Sequence, residues 1–200
     1  MKQENNFTFD ELNHQYLLNG IRLPSVTQIL QAEGITDYSY ADDSDREFGQ
    51  AGHKMTELWD KGVLDIKTVS EPLIPFFEGY KKFLKDFKVK IILEWIEKPT
   101  YSLIWKYGVK PDRVAKVNGK LTVYEIKFST SLPPGTKIQT VAQKIAIEEQ
   151  TGLKIKQRMA IQLLPNSYKL EFHNKLSDER IWLSAVILNQ FKKENKLWKP

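Results

Sequence analysis

Residues 108–130 read GVKPDRVAKVNGKLTVYEIKFST. Asn118-Gly119 in this stretch is a strong signal for a two-residue hairpin turn. Such a turn sets Val117 opposite Lys120. Counting outward, Val114 then faces Val123 and Asp112 faces Glu125. Side chains paired in this way have Cβ atoms about 4.5–5.5 Å apart. Lys127 is two residues beyond Glu125 and projects from the same side of the strand. Val114, Leu121 and Val123 make the rest of that side apolar. Two carboxylates in such a setting repel, and one is held protonated unless a cation is shared between them. Mg²⁺ is commonly held by one or two carboxylates together with waters and substrate phosphates. Asp112, Glu125 and Lys127 therefore read as a metal-assisted phosphoryl site. The competing reading is a cross-strand acid pair on a solvated face, with Lys127 as its surface partner. Pro111 cannot donate to a ladder, so the strand is expected to bulge or end beside Asp112.

Around this hairpin, residues 89–97 and 101–106 read as further strands, with the hairpin strands at 109–117 and 121–128. A helix is expected over 136–151, closed at Thr151-Gly152. Strands at 156–164 and 168–172 meet around Pro165-Asn166, and a last helix fills 177–196. On the other side, 7–9 and 15–18 form an N-terminal hairpin, and Asn19-Gly20 marks a tight turn. A short helix follows Pro24-Ser25 through Val26, Ile29 and Leu30 to Gly34. The acidic stretch 35–45 reads as a mobile loop. Ser44-x-x-Glu47 predicts a capping box opening a helix to about Lys61, and another helix spans about 72–87. This order predicts one α/β domain over 1–200, a mixed β-sheet flanked by helices with an N-terminal β-hairpin and helices.

Composition removes whole classes of function. The 200 residues carry 41% hydrophobic and 28% charged side chains, ordinary for a globular chain. With no cysteine, disulfides, iron–sulfur clusters, zinc-thiolate sites and thiol nucleophiles are excluded. The apolar runs are too short for a membrane span, and MKQENNFTFDE lacks the core of a secretion signal. A cytoplasmic protein with no membrane partner is expected. A formal charge of +5 permits a polyanionic partner without demanding one. The only fragment like a phosphate-binding loop, Gly135-Thr136-Lys137, lacks the rest of that motif, so no nucleotide cofactor is expected.

Pro111-Asp112 followed by Glu125-Ile126-Lys127 resembles the motif of the PD-(D/E)xK nuclease superfamily. The similarity is closest to its RecB-type and phage, lambda-type exonuclease branch. Three more segments agree: FTFDELNHQYLLNGIRLPSVTQIL at 7–30, GQAGH at 49–53, which resembles a Gly-x-x-x-His helix motif, and IQTVAQKIAI at 138–147. In the last, Gln139 matches a Gln-x-x-x-Tyr motif, with Gln143 at the Tyr position.

The resemblance implies a restriction-endonuclease-like core over 46–200, with 1–45 attached to it. It implies one or two Mg²⁺ or Mn²⁺ ions held by His53, Asp112, Glu125 and the Ile126 backbone carbonyl. Lys127 would orient the attacking water and Gln139 the substrate or its waters. Glu57 would support His53, and Glu94 is a weaker candidate acid. The activity implied is a DNA nuclease, more an exonuclease than an endonuclease, leaving 5′-phosphate and 3′-hydroxyl ends. A phage or bacterial recombination partner and a homo-oligomer are further implications. The alternative is a non-catalytic nucleic-acid-binding module on the same fold.

Gln143, Lys81 and Lys82 are candidate substrate contacts. Lys81 and Lys82 belong to a basic run with Lys85, Lys88 and Lys90. A second basic cluster comprises Lys192, Lys193, Lys196 and Lys199. Lysines of this kind can track phosphates, and Tyr80 could stack on bases. Lys-rich amphipathic helices are equally common as solvated faces, with Phe76, Phe77, Phe83 and Phe87 as core. The remaining histidines, His14 and His173, match no motif.

Overall fold

A computed structural model of the chain describes residues 5–37, 42–129 and 131–197. Lys199 and residues 38–41 of the acidic stretch lie outside these. Three antiparallel strands come first, β1 (Phe7–Asp10), β2 (Gln15–Leu18) and β3 (Ile21–Leu23). Asn19 and Gly20, at φ 52° and 77°, turn β2 into the additional strand. Helix α1 (Val26–Ala32) opens on Ser25, whose hydroxyl accepts the Gln28 N–H while the Gln28 side chain accepts the Ser25 N–H. Helix α2 (Asp43–Asp60) does not use the expected Ser44 capping box. Asp42 caps it instead, accepting the Asp45 N–H at 2.8 Å. A carboxylate gains from the helix dipole as well as the hydrogen bond, so the helix begins earlier than expected.

Helix α3 (Ile74–Asp86) is followed by β4 (Lys90–Ile91), β5 (Thr100–Ser102), β6 (Tyr107–Val109), β7 (Arg113–Val117) and β8 (Lys120–Lys127). Three expected strands are thus shorter. Residues 89–97 keep only two strand residues before a 3₁₀ turn at Leu93–Trp95, and the 109–117 run breaks at Lys110-Pro111-Asp112. Positive φ at Glu97 and Lys106 interrupts the pleat in the same region. Helix α4 (Gly135–Thr151), β9 (Gln157–Leu164), β10 (Ser167–Phe172) and α5 (Leu176–Glu194) complete the chain. Pro134 holds the cap position of α4, and Thr136 and Gln139 fall inside the helix.

The main sheet has the order β10-β9-β8-β7-β4. Its one parallel pair is β8–β9, bridged by α4 as a parallel crossover requires. The hairpin register is the one read from Asn118-Gly119, with Val117 opposite Lys120 and Val114 opposite Val123. Alternation along β7 and β8 feeds two layers. Ala115, Val117, Tyr124 and Ile126 pack against Tyr80 and Phe83 of α3. Val114 and Val123 pack on the other side against Ile147 of α4 and Ile155. A further cluster joins α1, α4 and α5 around Trp182, which stands edge-on to Tyr107 at 4.9 Å. The architecture is the mixed sheet flanked by helices, with an N-terminal hairpin, that the sequence predicts.

Close backbone approach fixes α3 on the sheet. A Cβ on Gly79 would run into the carbonyl oxygens of Ser167 and Leu164 at the β9–β10 turn. Asn166 ties the same turn to α3 by donating its N–H to the Pro75 carbonyl at 2.7 Å. Backbone cannot give way as a side chain can. Gly79→Ala is therefore expected to destabilise the fold by about 1–3 kcal/mol, read as a lower urea midpoint at unchanged slope.

Candidate metal centre

Pro111 ends the β7 ladder, and the last regular pair is Arg113 with Tyr124. Asp112 therefore lies just outside the sheet, where its carboxylate accepts the Ile126 N–H at 2.7 Å. The side chain takes over the hydrogen bond that the ladder no longer supplies. The Asp112 carbonyl accepts the Glu97 N–H at 3.1 Å, which draws Glu97 back toward the hairpin. Glu97 holds this place at φ 49°, a backbone region that a long side chain rarely adopts. Helix α2 brings His53. Gly52 lets that helix lie against the Phe128 ring, where a Cβ would collide, and His53 stands edge-on to the same ring.

His53 Nδ1 is 3.6 Å from Asp112 Oδ2 and 3.7 Å from Glu97 Oε1. One donor atom from each of His53, Glu97 and Asp112 lies within 4.8 Å of the others. Two hard oxygens and an imidazole suit a small divalent cation. Glu125 stands beside this trio with both oxygens engaged. Lys127 Nζ reaches Oε2 at 2.9 Å, and the Gln143 amide donates to Oε1. The Ile126 side chain is sealed in the core, and it is the amide of Ile126 that bonds Asp112.

The electrostatics are compatible with a cation bound among these groups. Burial, then the charge of Glu125, pushes Asp112 up to about 7 against the pull of His53. Burial also works to raise Glu97, but the hydrogen bond and charge of His53, with Lys110 and Arg113 behind them, bring it down to about 2. Burial opposes a charge on His53, yet Asp112 and Glu97 together raise its pKa. A divalent cation at the trio would displace the protons that burial and the neighbouring acids favour on Asp112 and His53. The donor set therefore fits such an ion.

Arg113 supports the trio from beneath. Its guanidinium is fully buried and reaches four oxygens: Asp60 Oδ2 at 2.6 Å, Glu97 Oε1 at 3.1 Å, the Asp112 carbonyl at 2.6 Å and Thr56 Oγ1 at 3.2 Å. The Tyr80 hydroxyl donates to the same Asp60 oxygen at 2.6 Å.

Several sequence-picked residues lie elsewhere. Glu94 is exposed and paired with Lys98 at 2.6 Å. Glu57 pairs with Lys54 and Lys61, not with His53, because it faces the other lysines of its own helix. Tyr80 is buried and cannot stack on a base. Gln139 is half-buried one turn before Gln143, and it is Gln143, fully buried, that reaches Glu125. Lys81 pairs with Glu78 and lies over the Phe77 ring, while Lys82 is exposed. Both belong to α3, which covers the sheet face opposite Glu125. Lys192 pairs with Glu33 at 2.7 Å. Glu97, Arg113 and Lys110 carry no motif or spacing in the sequence that points to this site. The one local hint of Glu97 is its place two residues before Pro99, where a strand must falter.

No protein-family model and no curated protein matches the chain. Among solved structures, a crystal structure of a "Putative exonuclease" from Eubacterium rectale superposes with a TM-score of 0.50 at 10% identity, covering 91% of this chain and 79% of that one. At that identity the likeness is one of fold. SSO0001 aligns over 82% of this chain and 84% of its own at 13% identity, with a TM-score of 0.33 that carries no argument. Among the described residues, no helix is long and apolar enough to cross a membrane.

The charges make stability depend on pH. Because Asp112 titrates higher folded than its ordinary 3.8, the folded state binds the extra proton, and stability is lost as pH rises from about 4 toward 7. Urea unfolding in chelator should show this loss in the wild type and a smaller one in Asp112→Asn. Glu97 acts oppositely: its stabilisation is present above its ordinary 4.5 and fades as pH falls toward about 2. Arg113→Lys should cost about 3–5 kcal/mol in the same assay, since a lysine cannot bridge four oxygens and leaves buried carboxylates uncompensated.

Proposed function

We propose that the protein is a metal-dependent deoxyribonuclease, with the nuclease core over 46–200. The reading is carried by one observation: His53, Glu97 and Asp112 converge beside the Glu125–Lys127 pair at the end of β8. A Mg²⁺ or Mn²⁺ ion held by the trio would polarise a phosphoryl oxygen and make the attacking water more acidic. Glu125 is placed to accept the proton of that water. Lys127 holds Glu125 in position and neutralises charge on the phosphate. Gln143 fixes the other Glu125 oxygen from within the core. Lys110, 3.3 Å from Glu97, adds a second cation on the substrate side. Gln139 is kept as a candidate contact to substrate or its waters.

Hydrolysis would leave a 5′-phosphate and a 3′-hydroxyl. The likeness in fold to an exonuclease favours end-directed cleavage. The pathway we propose is cytoplasmic DNA recombination or repair of a phage or bacterial kind, with a recombination protein or a second copy of the chain as partner.

The test is time-resolved degradation of end-labelled single- and double-stranded DNA with Mg²⁺, Mn²⁺ or chelator. Cleavage is expected only with metal, and Glu125→Ala, Lys127→Ala and Asp112→Ala should each reduce it to background while circular dichroism stays native. Full activity in all three would refute the assignment. Glu97→Gln should weaken Mn²⁺ binding measured by calorimetry. In the wild type, that binding should tighten between about tenfold and about a hundredfold per pH unit up to about pH 7, as protons leave Asp112 and His53.

A further inference from the structure

Helix α5 spends one face on the core and leaves the other bare. Trp182, Ala185, Val186 and Asn189 point inward and are buried. Two charges at the edges of that face are paired within the chain, Lys192 with Glu33 at 2.7 Å and Asp178 with Arg158 at 3.2 Å. On the outward face, Ile181, Ile187, Leu188 and Phe191 are 42%, 54%, 46% and 53% exposed. One such side chain in water is ordinary, but four on one helix face make an interaction surface. The β5–β6 turn, with exposed Leu103 and Ile104, is tied to this helix where the Gln190 amide donates to the Trp105 carbonyl at 2.7 Å.

The order of the outward residues selects the partner. Arg180, Ser184, Ile187, Phe191 and Glu194 are all exposed and follow one another at intervals of four, three, four and three. That is the repeat by which two helices lie along each other. Ile187 is the midpoint, with Arg180 and Glu194 seven residues to either side, about 10 Å along the axis in each direction. Neither charge has an ion-pair partner among the described residues. A second α5 laid antiparallel about a two-fold axis at Ile187 brings Arg180 of each copy to Glu194 of the other. A parallel pairing would set arginine on arginine and glutamate on glutamate. The stripe therefore complements itself in one orientation, as a two-fold contact between identical chains requires. The acids in the first turn of α5 and the lysines in its last turn favour the same orientation.

We infer that the outward face of α5 is a homodimer interface, pairing antiparallel with α5 of a second copy about Ile187. This deepens the second-copy partner proposed above, and it stands whether or not the chain cuts DNA.

Analytical ultracentrifugation of the full chain over a range of concentrations, with circular dichroism, tests it. The wild type should rise to twice the mass of the chain as concentration increases. Ile187→Asp sets a charge on the axis and should weaken the dimer tenfold or more, with circular dichroism native because Ile187 is exposed. Arg180→Glu turns two attractive contacts into repulsive ones and should weaken it about tenfold. Arg180→Glu together with Glu194→Arg restores opposite charges and should return most of the affinity. Should Ile187→Asp fail to fold, the charge exchange carries the same decision. A wild type that stays monomeric, a dimer that Ile187→Asp leaves intact, an Arg180→Glu chain as tight as the wild type, or a loss that the double exchange does not relieve overturns the inference. A dimer that cleaves no DNA removes only the nuclease reading, and an active nuclease that stays monomeric removes only this one.

Discussion

A buried guanidinium must find partners for its donors, and Arg113 places four of its five N–H groups on three separate pieces of chain. It reaches α2 through Asp60 and Thr56, the 3₁₀ exit through Glu97, and its own strand through the Asp112 carbonyl. The desolvation of such a cation is recovered only when every contact is made together. That requirement locks the distance between α2 and the start of β7, and so the distance between His53 and Asp112. A lysine, with one point charge, could not impose the same geometry. Asp60 and Tyr80 extend the lock to α3, so the helices covering one face of the sheet are tied to the carboxylates at its edge.

The second constraint is the break at Pro111. A ladder running on through Asp112 would have paired it with Glu125 as an ordinary cross-strand neighbour. With the ladder ended, Asp112 turns its carboxylate to the Ile126 amide and its carbonyl to Glu97. This loss of regular structure is what makes room for a third acid. The crowding of Glu97, Asp112 and Glu125 would be unfavourable alone. Arg113, Lys110, Lys127 and His53 compensate part of it, while burial and then the charge of Glu125 push the Asp112 carboxyl up. Charge balance and the three donor atoms within 4.8 Å of one another are consistent with a divalent cation.

Asn118-Gly119 fixed the register because turn chemistry is local, and with it the nearness of Asp112, Glu125 and Lys127. Residues 49–53 resembled a motif whose His does approach Asp112. Glu97 escaped notice because its role depends on a break in the pleat and on a left-handed residue, neither visible from alternation. Gln143 was placed as a substrate contact, though one helical turn decides whether an amide faces solvent or the buried Glu125. Tyr80 and the lysines of α3 looked like a binding surface, because amphipathic spacing does not say which helix covers which face of a sheet.

What the sequence determined by itself was set by neighbours within a few residues: the turns at Asn19-Gly20 and Asn118-Gly119, the alternation of β8 and the exclusion of thiol chemistry. Those features follow from backbone preference and side-chain type, which do not need a partner. What only the tertiary structure decided was the company each charge keeps. Burial, the pairing of Arg113 with Asp60 and Glu97, and the docking of the N-terminal sheet on Gly108 join residues far apart in the chain. Their energies come from desolvation and long-range contact, which no local pattern encodes.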